Sequence, residues 1–204
     1  MDSAASNAPE IWIEAGLRPE HRAAAASGYW EAFARKLRYP LGPREKAVRF
    51  IERVLDPSHS ISAVALNGDF LGVAGFKTPQ GEFVGGNFAD LRAVYGRLGA
   101  IGRVALVSVL ERDCEDGTLL MDGIFVDAKA RGFGVGTKLL SALQKRARDE
   151  GFKRLRLDVI DTNPRARALY EREGFMPRDS SLTGLLRPIY GFASSTTMMK
   201  DLTL

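Results

Sequence analysis

The clearest hydrophobic pattern lies in the second half of the chain. Leu119-Leu120-Met121-Asp122-Gly123-Ile124-Phe125-Val126 is nearly continuous apolar, as in a central strand covered on both faces. Gly123 inside it predicts a bulge or a close backbone approach. After a glycine-rich turn, Val135, Leu139, Leu140, Leu143 and Ala147 recur at helical spacing, and Gly151 ends that helix. Leu155, Leu157 and Val159 then alternate with Arg154, Arg156 and Asp158, the pattern of a strand. Pro164 to Glu173 reads as another helix, stopped by Gly174; Phe175-Met176 and Thr196 to Met199 read as final strands. Strand–helix–strand–helix order predicts an α/β layered fold.

The first half is less regular. Residues 1–9 read as a loose tail and Ile11-Trp12-Ile13 as a first strand. Pro19-Glu20 opens a helix, which Tyr39-Pro40-Leu41-Gly42-Pro43 is expected to break. Its aromatics Tyr29, Trp30 and Phe33, with Tyr39, recur mostly at helical spacing and read as core. A second helix carries Val48, Ile51, Val54 and Leu55 and ends at Asp56-Pro57. Asn67-Gly68-Asp69 joins the β-rich runs Ser60 to Leu66 and Phe70 to Phe76 as a hairpin. Residues 78–118 form an extended arm between the third and fourth strands: glycine-rich at first, then helical from Phe88 to Leu110 with interruptions at Gly96, Gly99 and Gly102. The apolar end of the arm, Val104 to Leu110, is expected to pack on the body or to flank a substrate entrance.

Composition narrows the chemistry. At 204 residues, with 45% hydrophobic and 26% charged positions, the chain is long enough for one globular domain, read as 1–204. The single cysteine, Cys114, rules out an internal disulfide, and the carboxylates around it disfavour a thiolate. With two histidines, both in polar contexts, no metal site is expected. The longest apolar run is far short of the ~20 residues of a membrane helix. Met1 to Glu10 lacks the basic and apolar regions of a signal peptide, so a cytoplasmic protein is expected. The net charge of +4 suits an anionic ligand or a soluble surface, and its dispersal along the chain indicates no nucleic acid.

The most informative segment is Arg131-Gly132-Phe133-Gly134-Val135-Gly136-Thr137, between the central strand and the amphipathic helix. Bare backbone there can aim several N–H groups at an anion, and the helix start adds partial positive charge. A pyrophosphate suits it; a tight turn without ligand would use the same residues. A P-loop is excluded, because no glycine lies five positions before Gly136 and Thr137, not lysine, follows it. A Rossmann turn is weakened, because the third glycine comes one place early, although Asp158 or Asp161 could imitate the ribose-binding acid.

The R-x-x-G-x-G spacing of Arg131 to Gly136 resembles the acyl-CoA signature of the GCN5-related N-acetyltransferase (GNAT) superfamily. Asn163-Pro164-Arg165-Ala166-Arg167-Ala168-Leu169-Tyr170-Glu171-Arg172-Glu173-Gly174-Phe175 resembles the superfamily's N-x-x-A-x-x-L-Y-x-x-x-G-F segment, in the expected order. The resemblance is specific from about Leu119 to Phe175. It implies a mixed, mostly antiparallel twisted sheet flanked by helices, with central strands splayed after the pyrophosphate turn. It further implies an acetyl-CoA co-substrate and no metal. Ile124, Phe125 and Val126 would pair with the pantetheine arm, and Arg131, Gly132, Phe133, Gly134, Val135, Gly136 and Thr137 would hold the pyrophosphate. Asn163 matches a cofactor-contacting position. Tyr170 matches the tyrosine that protonates the leaving thiolate.

The implied reaction is direct attack of an amine on the acetyl carbonyl, with the oxyanion held by the Val126 N–H. For the base, Asp158 and Asp122 both stand at positions where family members carry one, and a water chain is a third route. Asp158 could instead form a cross-strand ion pair, and Asp122 could satisfy a bulge. The acceptor is a small-molecule or peptide amine, bound on the side formed by the arm and the helices within 19–55. A homodimer is compatible with such folds, and no membrane is involved. Two competing readings are a catalytically silent acyl-CoA-binding or sensor module and a nucleotide-dependent oxidoreductase.

Overall fold

The computed structural model describes residues 10–108, 113–184 and 187–203. The expected tail at 1–9 and the last two positions of Val104 to Leu110 lie outside them. The elements run β1 (Ile11–Ala15), α1 (Arg22–Leu41), α2 (Arg44–Val54), β2 (Ser60–Ala65), β3 (Phe70–Thr78), β4 (Gly81–Glu82), α3 (Phe88–Ser108) and β5 (Thr118–Val126). They continue with α4 (Val135–Asp149), β6 (Arg154–Ile160), α5 (Pro164–Arg172), β7 (Met176–Leu182), α6 (Arg187–Tyr190) and β8 (Ser194–Asp201). The strands form one mixed sheet in the order β1-β2-β3-β5-β6-β8-β7, with β4 on β3. The β5–β6 pair is parallel and the other named pairs are antiparallel.

Two apolar layers cover the sheet. On one face Leu139, Leu140 and Leu143 of α4 pack against Leu119 and Met121 of β5 and Leu155, Leu157 and Val159 of β6. On the other, Trp30, Phe50, Ile51 and Leu91 join α1, α2 and α3. The central strand carries a bulge: Gly75 pairs with Gly123 but Phe76 with Met121, leaving Asp122 as the extra residue. Met121 and Ile124 consequently both face α4, and the two residues between them turn toward α1. Gly123 is there for space, since a Cβ would lie 2.1 Å from the Phe33 ring.

Three elements add detail to the expectation. The break falls within the expected 39–43 segment: α1 runs through Pro40 to Leu41, and Gly42-Pro43 separates it from α2. In the arm only Gly96 interrupts the helix, at φ 75° and ψ 170°, and Gly99 and Gly102 stay helical. Tertiary contacts hold that stretch: the Tyr95 hydroxyl donates to the Leu41 carbonyl, and Arg103 donates to the Gly42 carbonyl at 2.8 Å while stacking 4.1 Å over the Tyr95 ring. β7 extends to Leu182 with every residue exposed, so it has no hydrophobic pattern to read. Among the described residues, no helix is long and apolar enough to cross a membrane.

Candidate active site

β5 and β6 are paired over only four steps, from Thr118–Arg154 to Met121–Leu157, although both strands continue beyond. The fork therefore opens within the strands, ahead of the glycine turn in chain order. On its other edge β5 stays paired with β3, and the Asp127 N–H donates to the Leu71 carbonyl at 2.9 Å. Alternation of main-chain groups then commits Phe125 to β3 and turns the N–H and C=O of Ile124 and Val126 toward the gap. The Phe125 side chain is also spent, buried against Gly28 and stacked on Phe70 with ring centroids 6.3 Å apart. Of the three residues expected to offer main-chain groups, the geometry leaves two.

The fork opens onto a cavity of about 440 Å³ whose lining includes Asp122, Asp158, Tyr170 and Asn163. The bulge turns the half-buried Asp122 side chain into the cavity, and its carboxyl is pushed up to about 6. Burial is the main cause and the Glu82 charge adds to it; Lys36, Lys77 and the Val84 N–H pull the other way. Asp122 Oδ2 is buried without a hydrogen-bond partner among the described residues. Asp158 stands on the same sheet face, opposite α4. Its Oδ1 accepts the Thr197 hydroxyl at 2.6 Å, and the Arg156 guanidinium lies 3.8 Å away.

Tyr170 is 7% exposed, with its ring 6.0 Å from Phe175, and burial alone pushes its phenol up to about 12. Asn163 caps α5, its Oδ1 accepting the Ala166 N–H at 3.2 Å, so part of its side chain serves the helix.

Downstream of β5, Asp127 caps a short 3₁₀ turn and Arg131 Nε donates back to the Val126 carbonyl at 3.2 Å. Gly132 and Gly134 take φ of 88° and 78°, the left-handed region, and a Cβ at either would meet nothing within 4 Å. They are glycine for backbone conformation rather than for packing. Gly134 is the N-cap of α4, so the amides of Val135, Gly136 and Thr137 are first-turn donors without intrahelical partners. The Val135 side chain is buried in the core, which leaves only its main chain for a ligand. Arg131 to Gly134 are exposed, and Phe133 is 41% exposed.

The far wall brings residues the sequence reading passed over. Trp30 is core as expected, Tyr29 packs against the core and also lines the cavity, Phe33 lines the cavity, and Tyr39 is 53% exposed. Lys77 and Glu82 pair at 3.1 Å across the β3–β4 hairpin, with Glu82 facing the cavity. Their separation by a Pro-Gln-Gly turn was the available signal. Val107 of the arm also lines the cavity while Val104 is exposed, so the arm both packs and walls the opening. Nearby, burial holds the Cys114 thiol above its ordinary value; Asp122 and Glu82 reinforce this and Lys77 opposes it.

A forked parallel pair leading into an open glycine turn at a helix start is matched by sequence: residues 26–175 fit the Acetyltransferase (GNAT) family. The chain belongs to this family. The match reaches into α1, well beyond the segment from Leu119 to Phe175 that carried the resemblance. A GCN5-related N-acetyltransferase from Kribbella flavida shares the GNAT fold at a TM-score of 0.61 and 20% identity, over 94% of this chain and 97% of that one. An acetyltransferase from Salmonella typhimurium, solved with its cofactor acetyl-CoA, aligns at a TM-score of 0.59 and 17% identity, over 96% and 95%. A bovine (Bos taurus) thialysine N-ε-acetyltransferase is 38% identical over 56 residues, which is 28% of this chain. The match spans about a third (33%) of that curated relative.

Proposed function

We propose that the chain, as a single acyltransferase domain, transfers an acyl group, most simply acetyl from acetyl-CoA, to a primary amine by direct attack. The observation that carries this reading is the fork. Main-chain groups of Ile124 and Val126 face a gap that leads to the exposed amides at the start of α4, and Asp122, Asp158 and Tyr170 line the same cavity. These residues fit acetyl-CoA. Strand-edge main-chain groups that β6 does not pair suit an amide-bearing arm, and bare first-turn amides suit a pyrophosphate. Bound acetyl-CoA supplies an activated thioester carbonyl.

Asp122 is the base the geometry favours. Its carboxyl sits near 6, so it is ionised at neutral pH yet basic enough to accept a proton, and its Oδ2 awaits a donor. Asp158 is already engaged by Thr197 and holds the opposite strand. The Val126 N–H faces the gap, where it can stabilise developing negative charge. Tyr170, kept protonated by burial, holds a proton to give to the departing sulfur.

The test is thermal unfolding with and without acetyl-CoA, followed by thiol release on adding amines. Saturation at about 100-fold over Kd stabilises by about 2.7 kcal/mol. Absence of any shift rejects the reading. Protection without thiol release across a broad amine panel identifies a silent acyl-CoA-binding module instead.

A further inference from the structure

The cavity extends past the fork in a direction the thioester has no use for. Beyond Asp122 it continues between α1, α2 and α3 into a recess walled by Leu37, Leu41, Phe50, Leu91 and Val107. Leu41, Phe50 and Leu91 are 3%, 4% and 4% exposed, so the recess is cut into the apolar layer itself. At its inner mouth stand two carboxylates. Asp122 carries the unpartnered, buried Oδ2, and Glu82 is held beside it by Lys77. Gly85 leaves room for Glu82, since a Cβ there would lie 3.0 Å from Glu82 Oε1. Tyr29 closes this mouth, and its phenol feels both acids after the dominant effect of burial.

We propose that the acceptor is a hydrophobic primary amine, alkyl or arylalkyl, whose ammonium sits between Asp122 and Glu82 and whose hydrocarbon body fills the recess. The proposal deepens the transferase reading and rests on it. An orphan carboxylate oxygen can be satisfied only by a donor, and an ammonium brings three. The apolar walls of the recess reward an apolar body and give an amide no partner. A peptide N-terminus would thread its backbone amides along that hydrocarbon. An α-amino acid would set its own carboxylate beside Asp122 and Glu82, where like charges repel. Lys36 and Lys77 oppose that repulsion, but each already has an interaction of its own. Glu82 is thereby a specificity-determining residue that binds the amine, while Asp122 takes its proton.

The experiment compares 2-phenylethylamine with phenylalanine, 1,4-diaminobutane and a short peptide with a free N-terminus, following thiol release from acetyl-CoA. Phenylethylamine is expected to exceed each of the others in kcat/KM by about tenfold or more. Glu82→Gln is expected to raise its KM about tenfold with kcat within about threefold, and Glu82→Asp to recover part of the loss. Calorimetry of phenylethylamine on CoA-saturated protein reads the same loss of affinity without turnover. Equal or better use of phenylalanine, diaminobutane or the peptide, or an unchanged KM in Glu82→Gln, overturns the acceptor assignment alone. Failure of acetyl-CoA to bind overturns the transferase reading and this proposal with it.

Discussion

Asp122 and Asp158 each follow directly on the last residues that join β5 to β6, Met121 and Leu157. Both aspartates face away from α4, so the fork is flanked by two carboxylates. Their environments differ: Asp158 accepts a hydroxyl from β8, whereas Asp122 has a buried oxygen with no partner among the described residues. That difference underlies the proposed choice of Asp122 as base and yields the first expectation.

Asp122→Asn should separate activity from stability. The folded carboxyl sits near 6 against an ordinary 3.8, so the native state binds the extra proton between those values. Stability then falls as pH rises through that window. Relative to wild type, Asp122→Asn is expected to gain up to about 3 kcal/mol above pH ~6 and nothing below the ordinary carboxylate range. Urea denaturation across pH measures this. In the same variant kcat/KM should fall by about 10²–10⁴ and lose the rising limb centred near 6.

Tyr170→Phe keeps the ring in the apolar cluster with Phe175 and removes only the phenol hydroxyl, the proposed acid. The expected loss is about 10²–10⁴ in kcat, with acetyl-CoA affinity retained and stability within about 1 kcal/mol. Steady-state kinetics beside a thermal melt separate the two effects. A melt displaced by many degrees would instead give the phenol a structural role.

Gly134→Ala places a Cβ where nothing clashes, so any effect comes from backbone conformation at φ 78°. The left-handed residue should cost about 1–2 kcal/mol. If the turn relaxes, its amides lose their common aim, and KM for acetyl-CoA should rise about tenfold while kcat at saturation holds. Titration of acetyl-CoA by calorimetry gives the affinity directly.

Gly28→Ala tests packing behind the site. A Cβ at Gly28 would fall 2.2 Å from the Phe125 ring, which has no open side to move into among Phe70, Val73 and Phe83. Overpacking of this kind costs about 1–3 kcal/mol. Because Phe125 anchors β5 on the β3 side of the fork, activity should fall along with the denaturation midpoint.

The sequence by itself determined the strands and helices whose faces are unmistakably apolar, and with them the glycine turn and the Asn163–Phe175 segment. Each of those is a local matter: a period of 2 or 3.6, a glycine where φ must be positive, a cap before a helix. Only the tertiary structure decided what those pieces surround. β7 was poorly legible because an edge strand exposed on both faces has no alternation to display. Tyr29 and Phe33 read as core because a cavity lining and a core face share one helical period. For Glu82 the sequence offers only the Pro-Gln-Gly turn before it, since its meaning comes from a hairpin that swings it toward a carboxylate forty residues onward. Even the choice between Asp122 and Asp158 waited on the fold, because a carboxylate's basicity is set by burial and neighbouring charge, which depend on distances through space rather than along the chain.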